Sequence, residues 1–347
     1  MFFASDNTSG AAPEVMEALV RATSGYEMSY GADAAMARVQ DALRDVFEAP
    51  EAAVYLVATG TAANALSLAT LCEPWSAIYC HRDAHIEKDE CGAPEFYTGG
   101  AKLVLLDGAD AKIDPASLEQ ALAEGTQSDV HQVQRGVLSL TNVTELGAVY
   151  SAAEVAALCD VAKGYRLPCH MDGARFANAI VATGASPAEM TWKAGIDALS
   201  FGGTKNGLLG AEAVILFDPS KAWEFALRRK RAGHLFSKHR LLSAQMEAYL
   251  ADGLWLRLAE QANRAGAALA EGLRLRQRRL LYGAEANMNF AEWDRATHAK
   301  LWDAGAVYGL WPHTAPSDGP ADEVIAGRMV CSWSTAPEDV EAFLGHL

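Results

Sequence analysis

The stretch 168–175, Pro168-Cys169-His170-Met171-Asp172-Gly173-Ala174-Arg175, is a short apolar run that ends in an acid, a glycine and an arginine. A run of this kind predicts a buried strand of a parallel sheet. Ligands bind at the carboxyl ends of parallel strands, so Asp172 lies where it can touch one. The alternative is that Asp172 caps a helix that begins near Ala174. The stretch alone does not decide between these two roles.

Similar short apolar runs alternate with helical patterns from residue 50 to about residue 217. Helix patterns cover Ala62–Cys72 and Ala152–Lys163. The alternation predicts βαβ units and an α/β fold with a mostly parallel central sheet that helices cover on both faces. The predicted strands are Ala53–Val57, Ala77–Cys80, Lys102–Asp107, Gly136–Thr141, Pro168–Asp172, Ile196–Phe201 and Ala213–Phe217.

Past residue 218 the pattern changes to helices followed by strand-like runs. We predict two domains, a large α/β domain with the N-terminal segment over residues 1–245 and a small C-terminal α+β domain over residues 246–347. The elements predicted here are helices at Trp223–Arg231, Leu241–Leu273 (broken near Asp252-Gly253) and Glu338–Leu347, strands at Met288–Trp293, Ala306–Trp311 and Met329–Trp333, and a surface loop at Leu310–Gly327.

Composition restricts the classes of function. The chain has 347 residues, half of them hydrophobic, and its 29 basic and 44 acidic residues give a formal net charge of −15. This acidity argues against nucleic acid and anionic membranes as partners. We find no signal peptide, transmembrane segment or metal-ligand spacing, and six sparse cysteines without a CxxC pair predict reduced thiols in the cytoplasm.

A lysine follows the predicted strand 196–201 in Phe201-Gly202-Gly203-Thr204-Lys205-Asn206-Gly207. A lysine in such a place can form a Schiff base, although an isolated one is more often a solvated turn residue. The order favours chemistry, because Asp172 ends one strand and Lys205 follows the next. Pyridoxal phosphate enzymes need this pair, with the carboxylate on the pyridine nitrogen and the lysine on the aldehyde.

Two further motifs fit such a site without proving it. Thr59-Gly60-Thr61 lies between a strand and a helix, where backbone N–H groups bind anions, but an ordinary N-cap threonine would explain it too. His85 follows the predicted strand Ala77–Cys80. It can stack on a cofactor ring and act as a base near neutral pH, or it can be a polar residue with a purely structural role.

Together these stretches resemble the low-specificity L-threonine aldolase family, within the fold-type I pyridoxal phosphate enzymes. The similarity is strongest to the bacterial branch that includes L-phenylserine aldolase. The motifs occur in order over nearly the whole chain, and the combination is specific although each piece is not. They are Ser5-Asp6-Asn7, Tyr30-Gly31, Thr59–Asn64, Ala84-His85, Asp89–Phe96, His170–Ala179, Ala188–Lys205 and Arg328–Trp333.

The resemblance implies a role for each matching residue. Lys205 is expected to hold pyridoxal 5'-phosphate as a Schiff base, Asp172 to pair with its pyridinium nitrogen, and His85 to stack on its ring near the substrate hydroxyl. Tyr30 is expected to reach the site of a neighbouring subunit, which implies a homodimer or homotetramer with shared active sites. Further cofactor contacts are implied for Gly60, Thr61, Arg175 and Thr204, and substrate contacts for Ser5, Arg175, Arg328 and Tyr30.

The chain departs from the family pattern in two loops. Many members carry a histidine after the fourth strand, where this chain has Thr141-Asn142-Val143-Thr144-Glu145. We expect Thr144 to occupy that space beside the substrate, which leaves His85 as the stronger candidate for the base. Many members also have a glycine-rich loop that ends in arginine near residue 237. Here Lys238 or Arg240 would have to supply that cation, and the choice stays open.

The resemblance implies a lyase that cleaves L-β-hydroxy-α-amino acids, such as threonine, allo-threonine or phenylserine, to glycine and an aldehyde. The bond that breaks is Cα–Cβ. One rival is another fold-type I lyase or an aminotransferase, which share the aspartate and the lysine. The stretches around His85 and Asp89–Phe96 favour the aldolase. A second rival is a non-catalytic ligand-binding protein on the same fold, since fold alone does not prove function.

Overall fold

The computed structural model describes residues 1–347, and a seven-stranded sheet forms the centre of its larger unit. The strand order is β1-β7-β6-β5-β4-β2-β3, and only β7 runs against its neighbours. This confirms the predicted α/β class with a mostly parallel sheet. The strands are β1 Ala53–Val57, β2 Ser76–His81, β3 Lys102–Leu106, β4 Gln134–Thr141, β5 Cys169–Gly173, β6 Ala198–Phe201 and β7 Glu212–Leu216.

Fourteen α-helices surround this sheet and a smaller one. None combines the length and the apolar character that crossing a bilayer requires. The helix break predicted near Asp252-Gly253 is confirmed, since both residues have positive φ. The helices are α1 Pro13–Ala22, α2 Ala34–Val46, α3 Gly60–Leu71, α4 His85–Lys88, α5 Ala93–Thr98, α6 Pro115–Glu124, α7 Ala152–Gly164, α8 Phe176–Thr183, α9 Pro187–Met190, α10 Ala222–Arg231, α11 Arg240–Leu250, α12 Leu254–Leu275, α13 Arg295–Asp303 and α14 Pro337–Gly345.

The main core fixes the strands that lead into the candidate site. Every residue of β5, β6 and β7 is buried, as expected for strands covered on both faces. Next to them Phe47, Phe176 and Phe201 form a fully buried aromatic cluster, with ring centroids 5.6–5.9 Å apart. Burial of rings of this size holds the strand ends in place.

The second unit is an antiparallel sheet in the order β8-β10-β9, comprising β8 Met288–Asp294, β9 Gly309–Trp311 and β10 Val324–Val330. The N-terminus packs with it, because the Phe3 N–H donates to the Val307 carbonyl at 2.7 Å. Phe3 belongs to the core of this unit, while the first residues of α12 belong to the core of the large one. The N-terminal segment and α12 therefore connect the two units, and the division at residue 245 stays a prediction.

The predicted strand Met329–Trp333 is wrong in position. The strand is β10, which pairs Arg328 with Phe290 and begins five residues earlier, inside the segment predicted as the loop Leu310–Gly327. Gly327 and Arg328 interrupt the apolar pattern, so the sequence does not indicate a strand there. A Cβ at residue 327 would lie 2.9 Å from the Tyr308 ring, which explains the glycine, and Arg328 lies half-buried in the strand.

Candidate active site

Five loops that carry predicted site residues meet at one edge of the large sheet. Strand β7 is antiparallel to both β1 and β6, so β1 and β6 run in the same direction as the parallel strands. The carboxyl ends of these strands therefore lie along the same edge, where ligands bind in α/β folds. The predicted residues at or after these strand ends are Gly60 and Thr61 after β1, His85 after β2, Thr144 after β4, Asp172 within the last two residues of β5, and Thr204 with Lys205 after β6.

Lys205 lies half-buried in a short 3-10 turn, Thr204–Asn206, that is tightly held. A Cβ at Gly202 would lie 2.3 Å from the Ala174 carbonyl oxygen, so only glycine permits this approach. The Asn206 amide donates to the Tyr249 hydroxyl at 2.7 Å and to the Trp255 carbonyl at 2.8 Å. The backbone of the lysine loop is thus fixed.

A buried acid also holds the loop. The Gly203 N–H donates to Glu212 Oε2 at 2.7 Å. Burial raises the pKa of Glu212 to about 6, although hydrogen bonds to the loop and the charge of Lys205 lower it. Glu212 therefore gains a proton more readily than an exposed glutamate.

Asp172 is buried at the end of β5, directly beside β6. Its Oδ1 accepts from the Ala174 N–H at 3.0 Å, and its Oδ2 accepts from Asn64 Nδ2 at 3.0 Å. The first contact holds the turn after β5 and is not the helix cap that the sequence left open, because α8 begins at Phe176 with Arg175 as its N-cap residue and no side-chain capping bond. The second ties Asp172 to α3, so the carboxylate serves the turn and also belongs to the cluster at the sheet edge.

His85 begins α4 and pairs with a buried acid. Its Nδ1 lies 2.7 Å from Glu90 Oε1, and the Glu90 side chain is completely buried. Burial lowers the pKa of His85, but the hydrogen bond to Glu90 and the charges of Asp172 and Glu145 outweigh it, so the pKa lies above its ordinary value. The charge of Lys205 acts in the opposite direction.

Arg175 forms a buried ion pair with the N-terminal segment. Its Nε donates to Asp6 Oδ2 at 2.6 Å and its Nη2 to Asp6 Oδ1 at 2.9 Å, while Asn287 donates to Oδ2 at 3.1 Å. Burial alone would raise the pKa of Asp6, but Arg175, Lys205 and the hydrogen bonds hold it below its usual range. The 3-10 turn Asp6–Thr8 packs on the turn of Lys205, which also brings Ser5 to this edge.

Arg328 differs from Arg175, because it forms no ion pair. It lies in the middle of β10, and its Nη2 is 3.7 Å from Met288 Sδ. Burial and the charge of Arg175 lower its pKa, while Glu145, Asp6 and Asp89 oppose that effect. An anion placed against Arg328 would therefore relieve an uncompensated, partly desolvated charge.

The N-terminus of α3 is a candidate anion-binding site. Thr59 Oγ1 accepts from the Ala62 N–H at 3.2 Å and caps the helix. The first N–H groups of a helix have no partner inside it, so those of Gly60 and Thr61 face outward. A Cβ at Gly60 would meet no atom within 4 Å, which leaves open space above the first turn.

Four of the predicted residues form no hydrogen bond or ion pair with Lys205, Asp172 or His85, and they are Thr144, Tyr30, Lys238 and Arg240. Thr144 is fully buried, and its hydroxyl donates to the Asp110 carbonyl and accepts from the Ala148 N–H, so its geometry gives no support to a substrate contact. Tyr30 is exposed beside Lys230. Of the two candidate cations, Lys238 is exposed and Arg240 donates to the carbonyls of Ser24 and Gly25.

Four polar residues of this site escaped the sequence-based assignment of roles: Asp6, Asn64, Glu90 and Glu212. The first three lie inside motifs that carried the family resemblance, and that position was the signal available. Glu212 directly precedes the predicted strand Ala213–Phe217, and nothing in the sequence around it indicates a role in the site.

The sequence and the fold match a known class. The family model described as "Beta-eliminating lyase" matches residues 3–296, and the chain belongs to this family. Relatives named low specificity L-threonine aldolase share 41% identity over 97% of this chain and 94% of the protein from Pseudomonas aeruginosa, and 40% over 96% and 93% for Pseudomonas sp.. These matches confirm the resemblance predicted from the motifs.

Solved structures have the same fold as this chain. The threonine aldolase of Leishmania major superposes with a TM-score of 0.92 at 25% identity, over 99% of this chain and 97% of that one. A structure of SPT with a PLP internal aldimine superposes with a TM-score of 0.71 at 17% identity, over 100% of this chain and 86% of that one, and has the same fold.

Proposed function

We propose that this chain is a pyridoxal phosphate-dependent aldolase that cleaves L-β-hydroxy-α-amino acids to glycine and an aldehyde. The observation that carries the proposal is one edge of the sheet where the turn of Lys205 lies beside the strand end of Asp172, with an unpaired Arg328 nearby. The names of the Pseudomonas relatives and of the Leishmania structure support the same activity.

The residues present fit the cofactor. A half-buried primary amine, a buried carboxylate on the adjacent strand and the open first turn of α3 correspond to its aldehyde, its pyridine nitrogen and its phosphate. In this proposal Lys205 binds the aldehyde, Asp172 the ring nitrogen, and Gly60 with Thr61 the phosphate. Thr204 and Arg175 border the same space. When bound, the cofactor supplies the electron sink that Cα–Cβ cleavage requires.

The side chains of the protein then orient the amino acid. Arg328 binds its carboxylate, since a charge-assisted pair is stronger in a partly buried site. Arg175, fixed by Asp6, stands beside it with Ser5 and keeps one terminal nitrogen outside the Asp6 pair. Two fixed cations at the carboxylate set the rotation of the substrate, and this rotation selects which bond at Cα breaks.

His85 is the proposed base for the β-hydroxyl. An imidazole has an ordinary pKa near neutral pH, and the hydrogen bond to Glu90 with the charges of Asp172 and Glu145 raises that of His85 against the effect of burial, so the ring can accept and return a proton. Thr144 is bound within its own loop, so His85 has no evident substitute.

We propose that threonine, allo-threonine and phenylserine are all substrates. A pocket that discriminates by bulk separates substrates by only about 1–3 kcal/mol per methylene. The adjective "low specificity" in the names of the Pseudomonas relatives supports this breadth.

We also propose a homodimer or homotetramer with shared active sites in the cytoplasm. Exposed apolar side chains cluster around Tyr30 and the segment 230–245, where they line a cavity of about 820 Å³. Such a patch is typical of an interface. All six cysteines are unpaired, which supports a reducing compartment.

Incubation with threonine or phenylserine tests the activity directly. We expect equal amounts of glycine and aldehyde from the parent protein. The matched control, Lys205→Ala, should release neither. Ammonia with a keto acid would favour another lyase or an aminotransferase. A protein that binds no pyridoxal phosphate, as judged by its absorption spectrum, would support the non-catalytic alternative.

A further inference from the structure

Glu90 is a buried acid in direct hydrogen-bond contact with the proposed base, His85. Its side chain is completely covered, although it lies in a loop between two short helices, α4 and α5. The next residues, Cys91 and Gly92, both adopt positive φ, and they turn the chain sharply so that Glu90 points inward while Cys91 remains exposed. Burying a carboxylate costs free energy unless hydrogen bonds compensate for the lost water, so the hydrogen bonds of Glu90 must supply that compensation.

Two donors share one oxygen of Glu90. His85 Nδ1 lies 2.7 Å from Oε1, and Asn64 Nδ2 lies 2.9 Å from the same atom. Asn64 Nδ2 also donates to Asp172 Oδ2 at 3.0 Å. Both partners of Asn64 are carboxylates, so its nitrogen must face them, and its two hydrogens link Glu90 to Asp172.

This arrangement settles which nitrogen of His85 carries hydrogen. A carboxylate oxygen only accepts, so the hydrogen between His85 and Glu90 belongs to Nδ1. A neutral imidazole then has its lone pair on Nε2. We propose that Glu90 is a positioning residue that fixes His85 as the Nδ1–H tautomer and so reserves Nε2 for the proton of the β-hydroxyl group. The catalytic part of this proposal rests on the proposed aldolase function, whereas the tautomer does not.

Four charged groups face the His85 ring: Glu90, Asp172, Glu145 and Lys205. Glu90, Asp172 and Glu145 favour the imidazolium, and Lys205 disfavours it. Glu90 is the one in direct hydrogen bond with the ring. Removing its charge therefore lowers the pKa of His85, and activity that requires neutral His85 persists to lower pH.

Two substitutions separate the charge of Glu90 from its position. Glu90→Gln keeps an acceptor oxygen for Nδ1–H but removes the charge, and Glu90→Leu removes both. Glu87→Gln is the matched control, since it neutralises a half-buried acid of α4 that does not face the ring. The His85 signals are assigned by their loss in His85→Asn.

The experiment is NMR of the full chain with ¹⁵N-labelled histidine, with and without bound pyridoxal phosphate, together with pH profiles of kcat/KM. The parent protein is expected to show Nδ1–H at high pH. Glu90→Gln is expected to keep this tautomer, to lower the His85 pKa and to move the acid limb of the profile to lower pH. Glu90→Leu is expected to populate the Nε2–H tautomer and to lose at least ten-fold in kcat, and Glu87→Gln to change none of these.

An Nε2–H tautomer in the parent protein, or a His85 pKa unchanged in Glu90→Gln, would overturn the proposal. The Glu90→Gln result stands on its own if Glu90→Leu does not fold. A parent protein with the expected tautomer but no aldehyde release would leave the Glu90–His85 link intact and contradict the aldolase function. Unchanged kcat in a folded Glu90→Leu variant with an altered tautomer would contradict the catalytic role of Glu90.

Discussion

Arg328 and Arg175 are both cations at the candidate site, yet they should respond in opposite ways to replacement by methionine. Arg328 has no acidic partner, so Arg328→Met removes an uncompensated, partly desolvated charge. The free energy of unfolding should be unchanged or higher. Arg175→Met leaves Asp6 buried without its ion pair. Breaking a buried pair in this way costs about 3–5 kcal/mol.

The same two variants differ in function. A charge-assisted hydrogen bond contributes about 1.5–3 kcal/mol, so Arg328→Met should raise KM for the amino acid by about 10- to 150-fold at 1.4 kcal/mol per factor of ten. The affinity for pyridoxal phosphate should stay nearly unchanged. Urea unfolding, cofactor titration and initial rates of aldehyde release measure the three quantities. An Arg328→Met variant that is several kcal/mol less stable, or one that loses cofactor and substrate equally, would refute the assignment.

Four other perturbations follow from the site. His85→Asn should slow cleavage about 10²–10⁴-fold in rate assays while the cofactor still binds; a normal rate would move the base elsewhere. Asp6→Asn should reduce the loss of stability at acid pH in urea titrations. The lowered pKa of Asp6 stabilises the folded protein at pH values above the ordinary aspartate pKa, and this contribution is lost as pH falls through the lowered pKa; an unchanged dependence of stability on acid pH would contradict the Asp6–Arg175 pair. Glu212→Gln should abolish the loss of stability that occurs as pH rises from the ordinary glutamate pKa through about 6, since the raised pKa of the buried acid favours its neutral form in the folded state; an identical pH profile would contradict the raised pKa. Gly60→Asp should fold, since a Cβ at residue 60 meets open space, but its carboxylate should weaken the binding of pyridoxal phosphate in spectroscopic titration; unaltered affinity would contradict phosphate binding at the N-terminus of α3.

Most of the fold could be predicted from the sequence, because its strands are apolar and are separated by clear helical patterns. The order of Asp172 and Lys205 on successive strands predicted their meeting at one edge, and β5 and β6 are indeed neighbours. The position of β10 could not be predicted, because Gly327 and Arg328 interrupt the apolar pattern of the strand, and residue 327 packs closely against the Tyr308 ring.

The hydrogen bonds within the site depend on packing between distant segments, and local sequence does not contain them. Asn64 and Asp172 are 108 residues apart, and Asp6 and Asn287 are 281 apart. Such pairs are set by how α3 and the N-terminal segment dock on the sheet edge. A sequence pattern can mark the residues involved, but the choice of partner follows only from the assembled structure.

The central claim is that Lys205 is the residue that binds the cofactor covalently. Reduction of the protein with borohydride in the presence of pyridoxal phosphate, followed by peptide mapping, tests it most directly. The label should fall on Lys205 alone, and a folded Lys205→Ala variant should carry none. A label on Lys193, Lys238 or any other lysine would contradict the pairing of Lys205 with Asp172 and the site built on it.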